Sequence, residues 1–107
     1  MHINIGSQIT QSEPFVEAIK KVSNFIQRLK ARGIGLEYLN IGGGLGIIYD
    51  QEAPQTALIY AGQTIPLLKK TGLKIIMEPG RFIVGNDGIL VVKVLYIKRT
   101  TKKKFVI

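Results

Sequence analysis

The sequence predicts an α/β fold in which three parallel strands alternate with two helices before antiparallel strands take over. Three observations carry that expectation. Short apolar or alternating segments at 1–5, 36–41 and 73–77 read as strands. Apolar residues recur at helical spacing between them. After Arg81 the helical pattern stops and a β-rich run begins. The order strand, helix, strand, helix, strand calls for parallel pairing through right-handed crossovers.

The first segment puts His2 and Asn4 on one face and Ile3 and Ile5 on the other, then stops at Gly6-Ser7. Ser12 is placed to cap the following helix, with Pro14 in its first turn. Phe15, Ala18, Ile19, Val22, Ile26 and Leu29 form an apolar stripe that ends at Gly33. The strand at 36–41 runs straight into Gly42-Gly43-Gly44-Leu45-Gly46. A polar stretch then leads to a helix over 55–71 that Gly72 ends, and Pro66 inside it predicts a kink or a split. The third strand, 73–77, closes in Glu78-Pro79-Gly80-Arg81, read as a turn. Residues 89–98 read as a longer strand, 99–103 as a polar turn and Phe105-Val106-Ile107 as the start of a hairpin partner. A domain boundary is expected within 82–88, and both ends read as cuts through a larger protein.

Composition narrows the function. A chain of 107 residues with 46% hydrophobic content is enough for one small domain with a core. The net charge of +8 suits an acidic or phosphate-bearing partner. Yet Lys20/Lys21, Arg28/Lys30/Arg32 and Lys69/Lys70 fall near predicted helix C-termini, where cations suit the macrodipole. Only Lys102-Lys103-Lys104 forms a run, and no aromatic residues interleave a basic face, which argues against nucleic acid. With no cysteine, disulfide scaffolds and thiolate metal sites are excluded; His2 is the sole histidine, and no metal is expected. No apolar stretch approaches ~18 residues, and no signal-peptide pattern is present, so the chain reads as soluble and cytoplasmic with no membrane partner.

Successive glycines at a strand end let the backbone turn sharply and expose N–H groups to a phosphate; the plainer reading is a tight turn. A dinucleotide fingerprint fits poorly, because Ile47 stands where its third glycine belongs. Glu78 shares a strand face with Lys74 and Ile76; if that face points inward, its carboxylate lies at the mouth of the barrel or sheet, where it can keep a ring nitrogen protonated. Its alternative is a salt bridge to Arg81. Arg81 offers a bidentate fork to phosphate or carboxylate, or is an ordinary surface arginine. Ser7 donates to a phosphate or caps a turn. Tyr38 and Asn40 line one face of the second strand and are assigned to packing and polar satisfaction. Taken together, the two strand ends favour a phosphorylated cofactor.

The stretches Met1-His2-Ile3-Asn4-Ile5-Gly6-Ser7-Gln8, Leu39-Asn40-Ile41-Gly42-Gly43-Gly44-Leu45-Gly46 and Glu78-Pro79-Gly80-Arg81, in this order and spacing, resemble the diaminopimelate decarboxylases. These are pyridoxal-phosphate decarboxylases built like alanine racemase. The likeness extends through Val94-Leu95-Tyr96-Ile97-Lys98 and Lys104-Phe105-Val106-Ile107. It implies the C-terminal portion of a (β/α)8 TIM barrel over 1–85 and the start of a β-domain over 86–107. Barrels of this kind bind phosphate after strands 7 and 8, where the glycines and Arg81 would fall. The resemblance implies pyridoxal 5′-phosphate held through Ser7, Gly43, Gly44 and Gly80, with Arg81 at the phosphate or the substrate carboxylate. Glu78 would pair with the pyridine nitrogen as the catalytic residue of this stretch.

At position 4 the family usually has a histidine stacked on the cofactor ring; Asn4 would stack less well. The implied reaction takes meso-2,6-diaminopimelate to L-lysine and carbon dioxide in a homodimer. The family's Schiff-base lysine would lie before Met1, and its cysteine motif and late tyrosine beyond Ile107, so the chain alone is expected to be inactive. Three parallel strands with bare edges are also expected to self-associate. Related arginine, ornithine or carboxynorspermidine decarboxylases are the neighbouring alternative. A non-catalytic basic module binding phosphate or nucleic acid is the alternative of a different class.

Overall fold

The computed structural model describes all residues 1–107. The apolar stripe of the first helix is what seats it: α1, Glu13–Ala31, buries Phe15, Ile19, Val22 and Ile26 along one side. Pro14 lies in its first turn, where its missing N–H costs nothing. Ser12 is the N-cap residue as expected, but it makes no capping hydrogen bond, and its buried Oγ has no partner. The helix closes where the N–H groups of Arg32 and Gly33 turn back to the carbonyls of Leu29 and Lys30, with Gly33 at φ 78°.

Strand β1, Tyr38–Asn40, pairs in parallel with β2, Lys74–Ile76, in the register Tyr38↔Lys74, Leu39↔Ile75, Asn40↔Ile76. Between them runs α2, Ala57–Lys69, whose N-cap Thr56 accepts a hydrogen bond from the Ile59 N–H at 3.3 Å. Pro66 does not split it. Tyr60, Thr64 and Leu68 on the buried side anchor the helix before and beyond that exposed position. The expected first strand is reduced to one parallel bridge, His2↔Asn40, with Ile3 N–H donating to the Asn40 carbonyl (2.9 Å) and Asn40 N–H to that of Met1 (2.8 Å). β1 therefore lies between the N-terminal segment and β2.

Pleating sends Leu39 and Ile75 to one face, where they join Ile19, Val22, Ile26, Ile41 and Leu68 under both helices. Leu39 is wholly buried. A second cluster sets Phe15 edge-to-face on Tyr60, ring centroids 5.0 Å apart, with Leu45 beside them. The opposite face carries His2, Tyr38, Asn40, Lys74, Ile76 and Glu78 and has no helix over it.

Beyond β2 two expectations change. The predicted turn at Gly80 and Arg81 is instead the start of a short helix α3, Gly80–Val84, which Pro79 opens because its carbonyl takes the Ile83 N–H. The predicted long strand at 89–98 is reduced to β3, Ile97–Arg99, paired antiparallel with β4, Lys104–Val106, across a turn that Thr100 ties to Lys103. Residues 89–94 have strand-like composition but no neighbour to pair with, and Ile89 and Leu90 are 91% and 88% exposed. The hairpin projects: the radius of gyration is 19.0 Å, against about 13 Å for a compact domain of this length. No helix is long and apolar enough to cross a membrane.

Candidate functional site at the strand tips

The ends of the N-terminal segment, β1 and β2 meet at Gly42-Gly43-Gly44, and each glycine admits a different neighbour. A Cβ on Gly42 would lie 2.7 Å from the Ile3 carbonyl oxygen; one on Gly43 would run into the carbonyl of Glu78, and one on Gly44 into that of Gly6. Gly42 and Gly44 also hold φ 70° and 88°, open to glycine at little cost. Glu78 N–H donates to the Gly42 carbonyl at 2.8 Å and Ile9 N–H to that of Gly44 at 2.9 Å, so the loop is bolted to both neighbours. The glycines thus answer first to close packing of backbone on backbone. The N–H groups of Ser7, Gly43 and Gly44 are left without an acceptor in the protein, and the Ser7 hydroxyl is free as well.

On the helix-free face, the Asn40 side-chain amide donates from Nδ2 to Oε1 of Glu78 at 2.6 Å. Its Oδ1 accepts from the Gly42 N–H at 2.8 Å, and these two bonds together fix which way the amide points. Glu78 therefore takes its hydrogen bond from Asn40 and forms no ion pair with Arg81. Asn4 accepts from the Gly6 N–H at 3.1 Å, a local turn that presents Gly6 and Ser7. Gly80, expected among the phosphate ligands, has its N–H engaged by the Glu78 carbonyl at 2.8 Å and offers no free donor.

Arg81 reaches from α3 toward the same loops. Its Nη1 lies 3.4 Å from Oε1 of Gln8, and its guanidinium sits over the Tyr49 ring, 5.7 Å from the centroid. Gln8, at φ 57°, clasps Ile47 at both ends, with Nε2 donating to the Ile47 carbonyl at 2.6 Å and Oε1 accepting from its N–H at 3.2 Å. Tyr49 is held in turn by Glu52, whose Oε2 accepts the N–H groups of Tyr49 (3.0 Å) and Asp50 (2.8 Å). Those backbone donors, that of Asp50 foremost, hold the Glu52 carboxyl below the ordinary carboxylate range.

Of the residues singled out in the sequence, Gly44 packs on the Gly6-Ser7 turn that Asn4 supports, Gly43 packs on the tip that carries Glu78, and Arg81 reaches Gln8, the neighbour of Ser7, from α3. Asn40, Gln8 and Tyr49 were missed as site residues. For Asn40 a signal existed: strand register places it on the face of Glu78, two residues before the glycines. Gln8 and Tyr49 carried none, because their roles depend on loops meeting in space. The donor set suits a phosphate ester on a basic nitrogen ring, with free N–H groups, a hydroxyl and a guanidinium for the dianion and a carboxylate for the ring N–H. No group of three or more His, Cys, Asp or Glu side chains is gathered to hold a metal ion.

Comparison with known proteins points the same way. Residues 1–85 match the model of the family described as pyridoxal-dependent decarboxylase, pyridoxal binding domain. The diaminopimelate decarboxylase of Pseudomonas aeruginosa is 42% identical over 104 residues, covering 97% of this chain and 25% of that protein. The crystal structure of diaminopimelate decarboxylase from Helicobacter pylori, complexed with L-lysine, superposes with a TM-score of 0.77 at 41% identity over 98% of this chain and 26% of that one. A lysine/ornithine decarboxylase from Vibrio vulnificus, complexed with cadaverine, gives 0.65 at 31% identity over 77% of this chain and 22% of its own. The chain therefore spans about a quarter of the length of these relatives.

Proposed function

This chain belongs to the pyridoxal-dependent decarboxylases, through their pyridoxal binding domain, and from that membership we propose that it is the phosphate-binding and ring-nitrogen-binding part of a diaminopimelate decarboxylase. The reaction is the conversion of meso-2,6-diaminopimelate to L-lysine and carbon dioxide, by a cytoplasmic homodimer acting on this small amino-acid substrate. The higher identity to the diaminopimelate enzymes than to the lysine/ornithine enzyme favours that substrate. In this reading residues 1–85 are the last part of a (β/α)8 barrel and 86–107 open a β-domain. A parallel sheet with helices over one face and the opposite face free of helix supports that reading, since a barrel wall carries its helices on the outside only.

The observation that carries the proposal is Glu78 standing beside Asn40 at the strand tips, next to a loop whose N–H groups are free. Pyridoxal phosphate, when bound, supplies a sink for the electron pair left by departing carbon dioxide. The chain's own residues bind and orient it. The N–H groups of Ser7, Gly43 and Gly44 and the Ser7 hydroxyl hold the phosphate, and Arg81 adds positive charge at the phosphate or the substrate carboxylate. The Glu78 carboxylate keeps a proton on the ring nitrogen, because an adjacent negative charge favours the cationic form. Asn4 would stand at the family's usual ring-stacking position, offering a flat amide in place of an aromatic face.

Calorimetric titration of the chain with 4′-deoxypyridoxine 5′-phosphate, which has no aldehyde to react with surface lysines, tests the binding. We expect saturable binding that inorganic phosphate displaces; a flat titration contradicts the reading. Whether these residues serve the decarboxylation is tested by exchanging the matching quarter of the Helicobacter pylori enzyme for these 107 residues. The chimera should release carbon dioxide from meso-diaminopimelate, and in it Glu78→Ala should slow release by roughly 100-fold or more while cofactor affinity falls far less. Equal losses in rate and affinity would remove the role given to Glu78.

A further inference from the structure

We propose that Asn40 is a positioning residue that ties the phosphate loop to the ring-nitrogen carboxylate, so that both ends of the cofactor are located by one side chain. The inference rests on the function proposed above and extends it to a residue outside the motif glycines and acid. Its basis is the pair of hydrogen bonds that Asn40 makes in opposite directions, accepting from Gly42 N–H at 2.8 Å and donating to Glu78 Oε1 at 2.6 Å. Gly42 immediately precedes the two glycines whose N–H groups are free.

An amide is the side chain this position needs. Aspartate would take the Gly42 N–H but set a second carboxylate against Glu78, and leucine would fill the space with neither bond. Asn40 is half-buried and its backbone is paired on both sides, by the N-terminal segment and by β2, so its amide has a rigid base. Glu78 is exposed. Without a partner its carboxylate would sample several rotamers, and the cofactor would have to order it on binding. Asn40 does that ordering in advance.

The test separates loop stiffening from carboxylate positioning by using two probes that differ in one atom. They are 4′-deoxypyridoxine 5′-phosphate and its 1-deaza counterpart, in which C–H replaces the ring nitrogen, each titrated calorimetrically against the 107-residue chain. The wild-type chain should prefer the nitrogen-bearing probe about tenfold, the size of one charge-assisted hydrogen bond, and Glu78→Ala should erase that preference. Asn40→Leu, which loses both bonds, should reduce it to threefold or less and weaken both probes at least twofold through the loosened loop. Asn40→Asp, which keeps the acceptor for Gly42, should shift the preference at least threefold in either direction with the deaza probe unaffected. In Asn40→Leu/Glu78→Ala no further change in the preference should appear. Equal loss of both probes in Asn40→Asp, or an unaltered preference in both Asn40 variants, overturns the positioning role. Failure of the wild-type chain to bind either probe overturns the proposed function itself, and the inference falls with it.

Discussion

Gly43 and Glu78 meet backbone to backbone at the tips of neighbouring parallel strands, so closely that a side chain on Gly43 would occupy the position of the Glu78 carbonyl oxygen. Gly43 is not among the glycines with positive φ, so this is a matter of space alone. The carbonyl belongs to the residue that carries the catalytic carboxylate in the proposed function. Gly43→Ala should therefore push the tip of β2 away from the loop and destabilise the chain by roughly 1–3 kcal/mol, the usual range for overpacking. Urea denaturation measures the loss. A shift below about 0.5 kcal/mol, the level of a neutral surface change, would show that the two tips separate freely.

Gly62 sits in the middle of α2 with nothing near the place a Cβ would take, so its substitution should have the opposite sign. Alanine there removes backbone freedom from the unfolded chain without meeting any atom. Gly62→Ala should stabilise by roughly 0.5–1 kcal/mol. The midpoint of thermal or urea unfolding reports it, and a decrease would mean that α2 does not hold a regular helix on either side of Pro66.

These two glycines show what a sequence gives up and what it keeps. The stripe of Phe15, Ile19, Val22 and Ile26 and the alternation around Leu39 were legible, because helix and strand periods are local and the core follows from them. The glycine run marked a special strand end, and the parity of Glu78 with Lys74 and Ile76 put it on the face of Asn40, to which it is hydrogen-bonded. Other features had no local signature. Which neighbour each glycine admits, the clasp of Gln8 on Ile47 and the stack of Arg81 on Tyr49 depend on loops 35 or more residues apart arriving side by side, except that Arg81 and Tyr49 are 32 apart. The run at 89–94 shows the converse: β-forming composition is local, but a strand exists only where another strand accepts its hydrogen bonds.

Gln8 is the only residue other than glycine with a positive φ, and its side chain makes two hydrogen bonds to the backbone of Ile47. A conformation that costs energy is maintained there by the contacts it enables. Gln8→Ala keeps the backbone strain and leaves the Ile47 N–H and carbonyl unpaired. It should cost roughly 1–3 kcal/mol and release the Arg81 guanidinium from its position over Tyr49. Unfolding measurements give the first quantity, and loss of ring-current shifts on the Arg81 side chain gives the second. Retention of those shifts would show that Tyr49 alone orients Arg81.

The Tyr49 side of that stack has its own pH dependence, set by Glu52. Backbone N–H groups, that of Asp50 first, lower the Glu52 carboxyl from its ordinary 4.5. Because the folded value lies below the unfolded one, the turn gains from the ionised carboxylate above the ordinary carboxylate range and loses that gain as pH falls through the folded value. Glu52 is fully solvent-exposed, so screening keeps the effect local to the turn. Amide resonances of Tyr49 and Asp50 should move together with a midpoint below 4.5. Glu52→Gln, which keeps a carbonyl acceptor but no charge, should abolish that step. A midpoint at or above 4.5 would mean that the two N–H bonds do not form in solution, and Tyr49 would then lack the support that keeps its ring beneath Arg81.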